Sequence, residues 1–273
     1  MYKNLGSNLA EIADKKFGQN FLKDSSVLSK IIESIPNDGL PIVEIGPGLG
    51  DLTRQLLNVG RVRAYEVDKR LCEYLKSEFK EAIEDGNLEL ICKDILSEDG
   101  SLCEGSYSLI ANLPYYIATK IVLNALHDSN CKRVMVMVQK EVANKFAAKV
   151  GDRDYSSLAI LAQSVGKAEI LFDVPPEAFV PQPKVTSAIL YIEKSSSLDD
   201  LEFEHFLKVA TKQPRKRVFK NLSTKYDKNL LSEIFEKLNI KKDARVHELD
   251  LSIHHHLYKE LKDILDESRR KKR

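Results

Sequence analysis

The segment Glu44-Ile45-Gly46-Pro47-Gly48-Leu49-Gly50 restricts this chain most. It follows a short apolar run, Pro41 to Ile45, and precedes a helix-patterned stretch, Asp51 to Asn58. A glycine-rich turn between strand and helix lets a ligand lie against the backbone beside a helix start. Such a turn also serves dinucleotides and phosphates, so it does not name its ligand. Two details point away from a dinucleotide. The spacing is G-x-G-x-G, and Asp51 stands where the dinucleotide fingerprint has its third glycine. An acidic residue at a helix start also repels a pyrophosphate. A nucleoside carrying a cation, such as the sulfonium of S-adenosylmethionine, tolerates that acid.

The surrounding pattern predicts an α/β fold. Strand-like Val62 to Val67, Leu88 to Cys92, Tyr107 to Ala111 and Arg133 to Val138 alternate with helix-like Arg70 to Phe79 and Thr119 to Leu126. This alternation predicts a Rossmann-like parallel sheet covered on both faces. Ala168 to Val174 and Thr186 to Ile192 read as two further strands, joined by the proline-rich stretch Pro175 to Pro183. They form an antiparallel addition at the sheet edge. Lys194 to Asp200 reads as a linker, and beyond it the apolar spacing is helical. The expected domains are 1–197, carrying the sheet, and 198–273, a small all-helical domain.

With 43% hydrophobic residues the chain can bury a core, and its longest aliphatic run, Val134 to Val138, is too short to cross a bilayer. The N-terminal MYKNLGSNLAEIADKK has no apolar stretch with a cleavage site, so no signal peptide is expected. Cys72, Cys92, Cys103 and Cys131 lack metal-ligand or redox spacing, which fits reduced thiols in a cytoplasmic protein. Charge is uneven: residues 200–273 carry 19 Lys and Arg against 13 Asp and Glu, whereas residues 1–199 carry 23 against 28. That split suits a C-terminal part facing an acidic partner, or a solvated helical surface with a basic SRRKKR tail.

Candidate site residues stand at successive strand ends. Glu66 can accept from both ribose hydroxyls of a nucleoside, and Asp94 from an adenine amine. The plain alternative for each is a carboxylate capping the next helix. At the fourth strand end is Asn112-Leu113-Pro114-Tyr115. The adenine amine is a poor nucleophile because its lone pair is delocalised into the ring. Two acceptors on its hydrogens, the Asn112 side-chain oxygen and the Leu113 carbonyl, would pull the nitrogen toward tetrahedral geometry. Tyr115 offers a stacking face worth roughly 1–3 kcal/mol per base.

These motifs, together with Phe17-Gly18-Gln19-Asn20-Phe21-Leu22, Gln139-Lys140-Glu141-Val142 and Phe179-Val180-Pro181-Gln182-Pro183-Lys184-Val185, resemble the bacterial ribosomal RNA small-subunit adenine dimethyltransferases. The resemblance runs from about Lys16 to the C-terminus. It implies a class I methyltransferase that uses S-adenosylmethionine to dimethylate two adjacent adenines in a hairpin loop near the 3′ end of 16S ribosomal RNA. The implied setting is a 30S precursor particle during small-subunit biogenesis, with the enzyme acting as a monomer. It also implies that Gln19, Asn20 and Leu22 close over the cofactor, and that Gly46, Glu66, Asp94 and Asn112 complete its site. Phe179 is implied to stack on the adenine face opposite Tyr115. Tyr116 and Ala118 depart from the Asn and Ser of many relatives.

Gln213 to Lys220 is basic and resembles the family's basic helix. Arg215, Lys216, Arg217 and Lys220 are therefore the expected RNA contacts, with a solvated charged helix as the alternative. His254, His255 and His256 are consecutive and point roughly 100° apart on a helix, so they read as polar surface and no metal is expected. Three rivals remain. One is a related large-subunit enzyme conferring antibiotic resistance, disfavoured by Pro47, Leu49 and Tyr116. The second is a non-catalytic ribosome-assembly factor, and the third a dinucleotide dehydrogenase.

Overall fold

The computed structural model describes residues 13–270. The leader reading on the first twelve residues and the last three residues of the basic tail lie outside them. The elements are β1 (Phe21–Leu22), α1 (Ser25–Glu33), β2 (Ile42–Ile45), α2 (Asp51–Leu56), β3 (Val62–Tyr65), α3 (Lys69–Glu78), α4 (Lys80–Glu84), β4 (Leu88–Ile91), β5 (Tyr107–Asn112) and α5 (Tyr115–His127). Then follow β6 (Cys131–Gln139), α6 (Lys140–Ala147), α7 (Ser157–Val165), β7 (Gly166–Val174), β8 (Phe179–Val180), β9 (Ser187–Lys194), α8 (Leu201–Ala210), α9 (Val218–Leu222), α10 (Lys228–Lys237) and α11 (Leu251–Arg270).

The chain divides into two compact units. One runs to Ala143 and resumes over Lys167–Ser197; the other holds Asn144–Gly166 and the chain from Leu198 onward. The expected first domain, 1–197, therefore gives up residues 144–166. The reason lies in α7, where Ala159, Ile160, Leu161, Ala162 and Val165 are all buried. A short helix this apolar needs cover on several sides, and it packs against α8 and α11.

The first unit is built on a seven-stranded sheet in the order β4-β3-β2-β5-β6-β9-β7. From β4 to β6 the strands are parallel, and β9 joins β6 antiparallel over Arg133↔Glu193 to Gln139↔Ser187. This is the expected Rossmann-like sheet with its antiparallel edge addition. Val134, Val136 and Val138 are fully buried, as β-branched residues of a strand covered on both faces must be. Chain order switches at β2, which pairs β3 on one side and β5 on the other. A crevice opens at the carboxyl ends of strands at such a point. The proline-rich connection carries β8, which pairs antiparallel with β1, Leu22 opposite Phe179. That pairing holds the N-terminal strap in place and was not legible in two-residue strands.

Two expectations are corrected. Cys72 on α3 and Cys92 after β4, 20 residues apart, are joined in a disulfide with Cα atoms 6.0 Å apart, leaving Cys103 and Cys131 free. Contact between a helix and the end of the next strand is invisible in cysteine spacing. In the second unit the histidines are not all surface. His254 is fully buried, its Nε2 3.4 Å from the Val246 carbonyl, while His255 stacks on Phe203 at 4.4 Å. Position 254 falls on the stripe of α11 that also buries Leu257 and Leu261. Among the described residues, no helix is long and apolar enough to cross a membrane.

Candidate active site

A cavity of about 460 Å³ opens at the carboxyl ends of β2 to β5. Its wall comprises the turn after β2, Glu66 and Val67 after β3, Asp94 to Leu96 beyond β4, Asn112 to Ile117 after β5, and the strap Lys16 to Leu22. The volume suits a small-molecule ligand.

The glycine turn is shaped by close approach. Gly48 has φ +62°, and a Cβ there would lie 3.1 Å from the Phe21 ring on the strap. Its N–H donates to Glu66 Oε2 at 3.2 Å, and the Asp68 N–H donates to Glu66 Oε1 at 2.9 Å. Glu66 is buried, which raises its pKa; the backbone donors pull it part of the way back. For Asp68 burial also works upward, but bonds from Arg70 and from Gln19 Nε2, at 3.2 Å, win and hold its carboxyl below the usual range. Asp68 caps α3, and Asp94 caps a 3-10 turn by accepting from the Leu96 N–H at 2.9 Å. The capping alternative therefore holds for Asp94, which lines the cavity at the same time.

Sequence reasoning left out Glu44. It is 1% exposed, lines the cavity and accepts from the Thr53 hydroxyl at 2.7 Å. Burial, with the neighbouring charge of Glu66 adding, pushes its carboxyl up to about 8, so it holds a proton at neutral pH. A charged residue inside the apolar run Pro41 to Ile45 was the available signal. Ile95, Lys16 and Phe17 also line the wall unforeseen.

Asn112 ends β5 and its Nδ2 donates to the Asn20 carbonyl of the strap at 3.0 Å. The bond assigns the amide orientation: nitrogen toward the strap, leaving Oδ1 as an acceptor. The Leu113 N–H donates to the Met137 carbonyl at 3.1 Å, which fixes the turn against β6. Expected as part of a turn, Tyr115 instead opens α5, because Pro114 suits a helix start. Its hydroxyl pairs with Ser187 Oγ at 2.7 Å, and burial raises its pKa. The cavity thus gathers Gln19, Asn20, Leu22, Gly46, Glu66, Asp94, Asn112, Leu113 and Tyr115. Phe179 is placed apart. It does not line the cavity and is 1% exposed within the main core, so no face of its ring is open to a base.

The second unit holds a separate concavity of about 520 Å³, lined by Arg215, Lys216, Arg217, Lys220, Asp243, Arg245 and Glu248. The expected basic helix is a turn followed by the five-residue α9. Arg245, missed by the sequence reading, arrives through a backbone bridge with Arg217. Five cations face two carboxylates, so the concavity favours anions.

The switch-point crevice, the tight glycine turn and the strand-end carboxylates place the protein among the Rossmann-like methyltransferases. The chain belongs to the ribosomal RNA adenine dimethylase family, whose profile matches residues 11–263. It is 54% identical over 249 residues, 91% of this chain and 93% of the relative, to ribosomal RNA small subunit methyltransferase A of Sulfurimonas denitrificans. Among solved structures it is similar to a dimethyladenosine transferase from Plasmodium falciparum, with a TM-score of 0.73 and 25% identity over 87% of this chain and 95% of that one. The 23S rRNA methyltransferase ErmE matches with a TM-score of 0.67 and 24% identity, over 89% of this chain and all of that one. That likeness concerns the fold alone.

Proposed function

We propose that this protein transfers methyl groups from S-adenosylmethionine to the N6 amines of two adjacent adenines in a hairpin loop near the 3′ end of small-subunit ribosomal RNA. Its substrate is the RNA within a 30S precursor particle, and it acts as a monomer in the cytoplasm. The 54% identical small-subunit relative supports this target over the large subunit.

The cavity suits the cofactor. Its lining carries Asp51, Glu66 and Asp94, beside the protonated Glu44, against Lys16 and Lys93, which favours a cationic nucleoside and disfavours a pyrophosphate. Glu66 would hold the ribose hydroxyls and Asp94 the adenine amine, with Gly46 at the turn and Gln19, Asn20 and Leu22 closing over. The bound cofactor supplies an electrophilic methyl group.

The orientation of Asn112 carries the proposal. With Nδ2 committed to the Asn20 carbonyl, Oδ1 can accept one hydrogen of the target amine. The Leu113 carbonyl accepts the other, and Tyr115 supplies a stacking face. Both acceptors bind more tightly as positive charge grows on the nitrogen, which favours the transition state over the ground state. Once methylated, the nitrogen loses its proton to water, so no strong general base is required. Arg215, Lys216, Arg217, Lys220 and Arg245 would contact RNA phosphates.

Mass mapping of methyladenosines in ribosomal RNA from cells with and without the protein tests the proposal. Dimethylated adenines should vanish from small-subunit RNA in the deletion strain and return when purified protein acts on its 30S particles. Unchanged small-subunit methylation would overturn the reading, and a loss confined to large-subunit RNA would redirect it.

A further inference from the structure

Tyr116 is left without a task by the proposed chemistry, yet it lines the same cavity. It is the most exposed large apolar side chain among the described residues, at 63%. A bare aromatic ring at a cavity mouth forgoes apolar burial that a ligand would restore. One edge of the ring lies against the strap. A Cβ on Gly18 would sit 3.3 Å from Cδ1 and 3.6 Å from Cε1 of Tyr116, so the strap comes this close because residue 18 has no side chain. The hydroxyl end feels the other wall: burial raises the phenol's pKa, and the charges of Asp94 and Glu66 add to the effect. The ring thus stands against the strap in the same cavity wall as Glu66 and Asp94, the two carboxylates assigned to the nucleoside half of the cofactor.

We propose that Tyr116 is a wall of the nucleoside subsite, its ring covering the adenosine half of the cofactor and slowing its escape past Gly18. This rests on the reading of the cavity as an S-adenosylmethionine site.

Binding of S-adenosylhomocysteine and of 5′-methylthioadenosine to wild type, Tyr116→Phe and Tyr116→Asn provides the test, by calorimetry and stopped flow. Tyr116→Phe should match wild type. Tyr116→Asn should weaken both ligands by about tenfold, or roughly 1.4 kcal/mol, within the range of a base–aromatic stack. The loss should appear in the dissociation rate, with association unchanged. Because both ligands carry adenosine and only one carries the amino-acid tail, equal losses locate the contact on the nucleoside. Wild-type affinity in Tyr116→Asn would overturn the proposal. So would a loss in Tyr116→Phe equal to that in Tyr116→Asn, or a loss confined to S-adenosylhomocysteine. Failure of the wild type itself to bind either ligand would remove the cofactor reading and this inference with it.

Discussion

Replacing Asn112 with Ala removes two interactions of unequal weight. The first is the 3.0 Å bond from Nδ2 to the Asn20 carbonyl. A neutral bond of this kind is worth about 1 kcal/mol net, so cofactor affinity should fall about fivefold as the strap loosens. The second is the Oδ1 acceptor aimed at the reacting amine. A preorganised group that stabilises developing charge is worth roughly 2.7–4 kcal/mol, or a hundredfold to a thousandfold in rate. The fold should survive, because the main chain of Asn112 stays paired with Met137 of β6. Single-turnover methylation of 30S particles at saturating cofactor separates the two effects, since saturation cancels the affinity loss. The chemical step should slow by at least about a hundredfold while particle binding persists. A folded Asn112→Ala protein with near-normal single-turnover rate would refute the acceptor role and favour an assembly factor that does not depend on catalysis.

Glu66→Ala should weaken S-adenosylhomocysteine binding by roughly 1.5–3 kcal/mol in calorimetry. It should also lower stability, because the Gly48 and Asp68 N–H groups lose their acceptor; unchanged affinity would remove Glu66 from the site. Lys216→Ala with Arg217→Ala should flatten the slope of log RNA affinity against log salt by about 0.7–0.9 for each phosphate no longer neutralised, with cofactor binding intact. An unchanged slope would make the concavity mere solvated surface. His254 supplies a pH test. Burial lowers its pKa from 6.5 to about 4, so the unfolded chain takes up the proton first as pH falls. Its contribution is complete above about pH 6.5 and is lost progressively toward pH 4. Between pH 7 and 5 urea denaturation should show wild type losing about 2 kcal/mol more than His254→Leu. Parallel losses would mean that the imidazole is not held neutral.

Local chemistry makes much of this protein legible in its amino-acid sequence. The strands β2, β3 and β4 are short runs closed by glycine or acid, and period and punctuation suffice to find such elements. Glu66, Asp94 and Asn112 stand at strand ends, where a parallel sheet presents its ligand-binding edge, so position along the chain implied position in space. What escaped depends on contacts between distant segments. Glu44 was hidden because a carboxylate inside an apolar run reveals neither its burial nor the Thr53 hydroxyl that meets it. Phe179 sits in a block shared with the family, yet its ring lies in the core through the pairing of β8 with β1. The joining of Cys72 to Cys92, the arrival of Arg245 beside Arg217 and the transfer of residues 144–166 to the second unit share one cause. Each is settled by which surfaces pack together, and no linear pattern encodes that choice at its own position. The residue order thus specified the elements, the glycine turn and the acids at its rim. The folded chain chose which way Asn112 faces, which ring is open at the cavity mouth and which charges share a concavity, because those depend on neighbours tens of residues away.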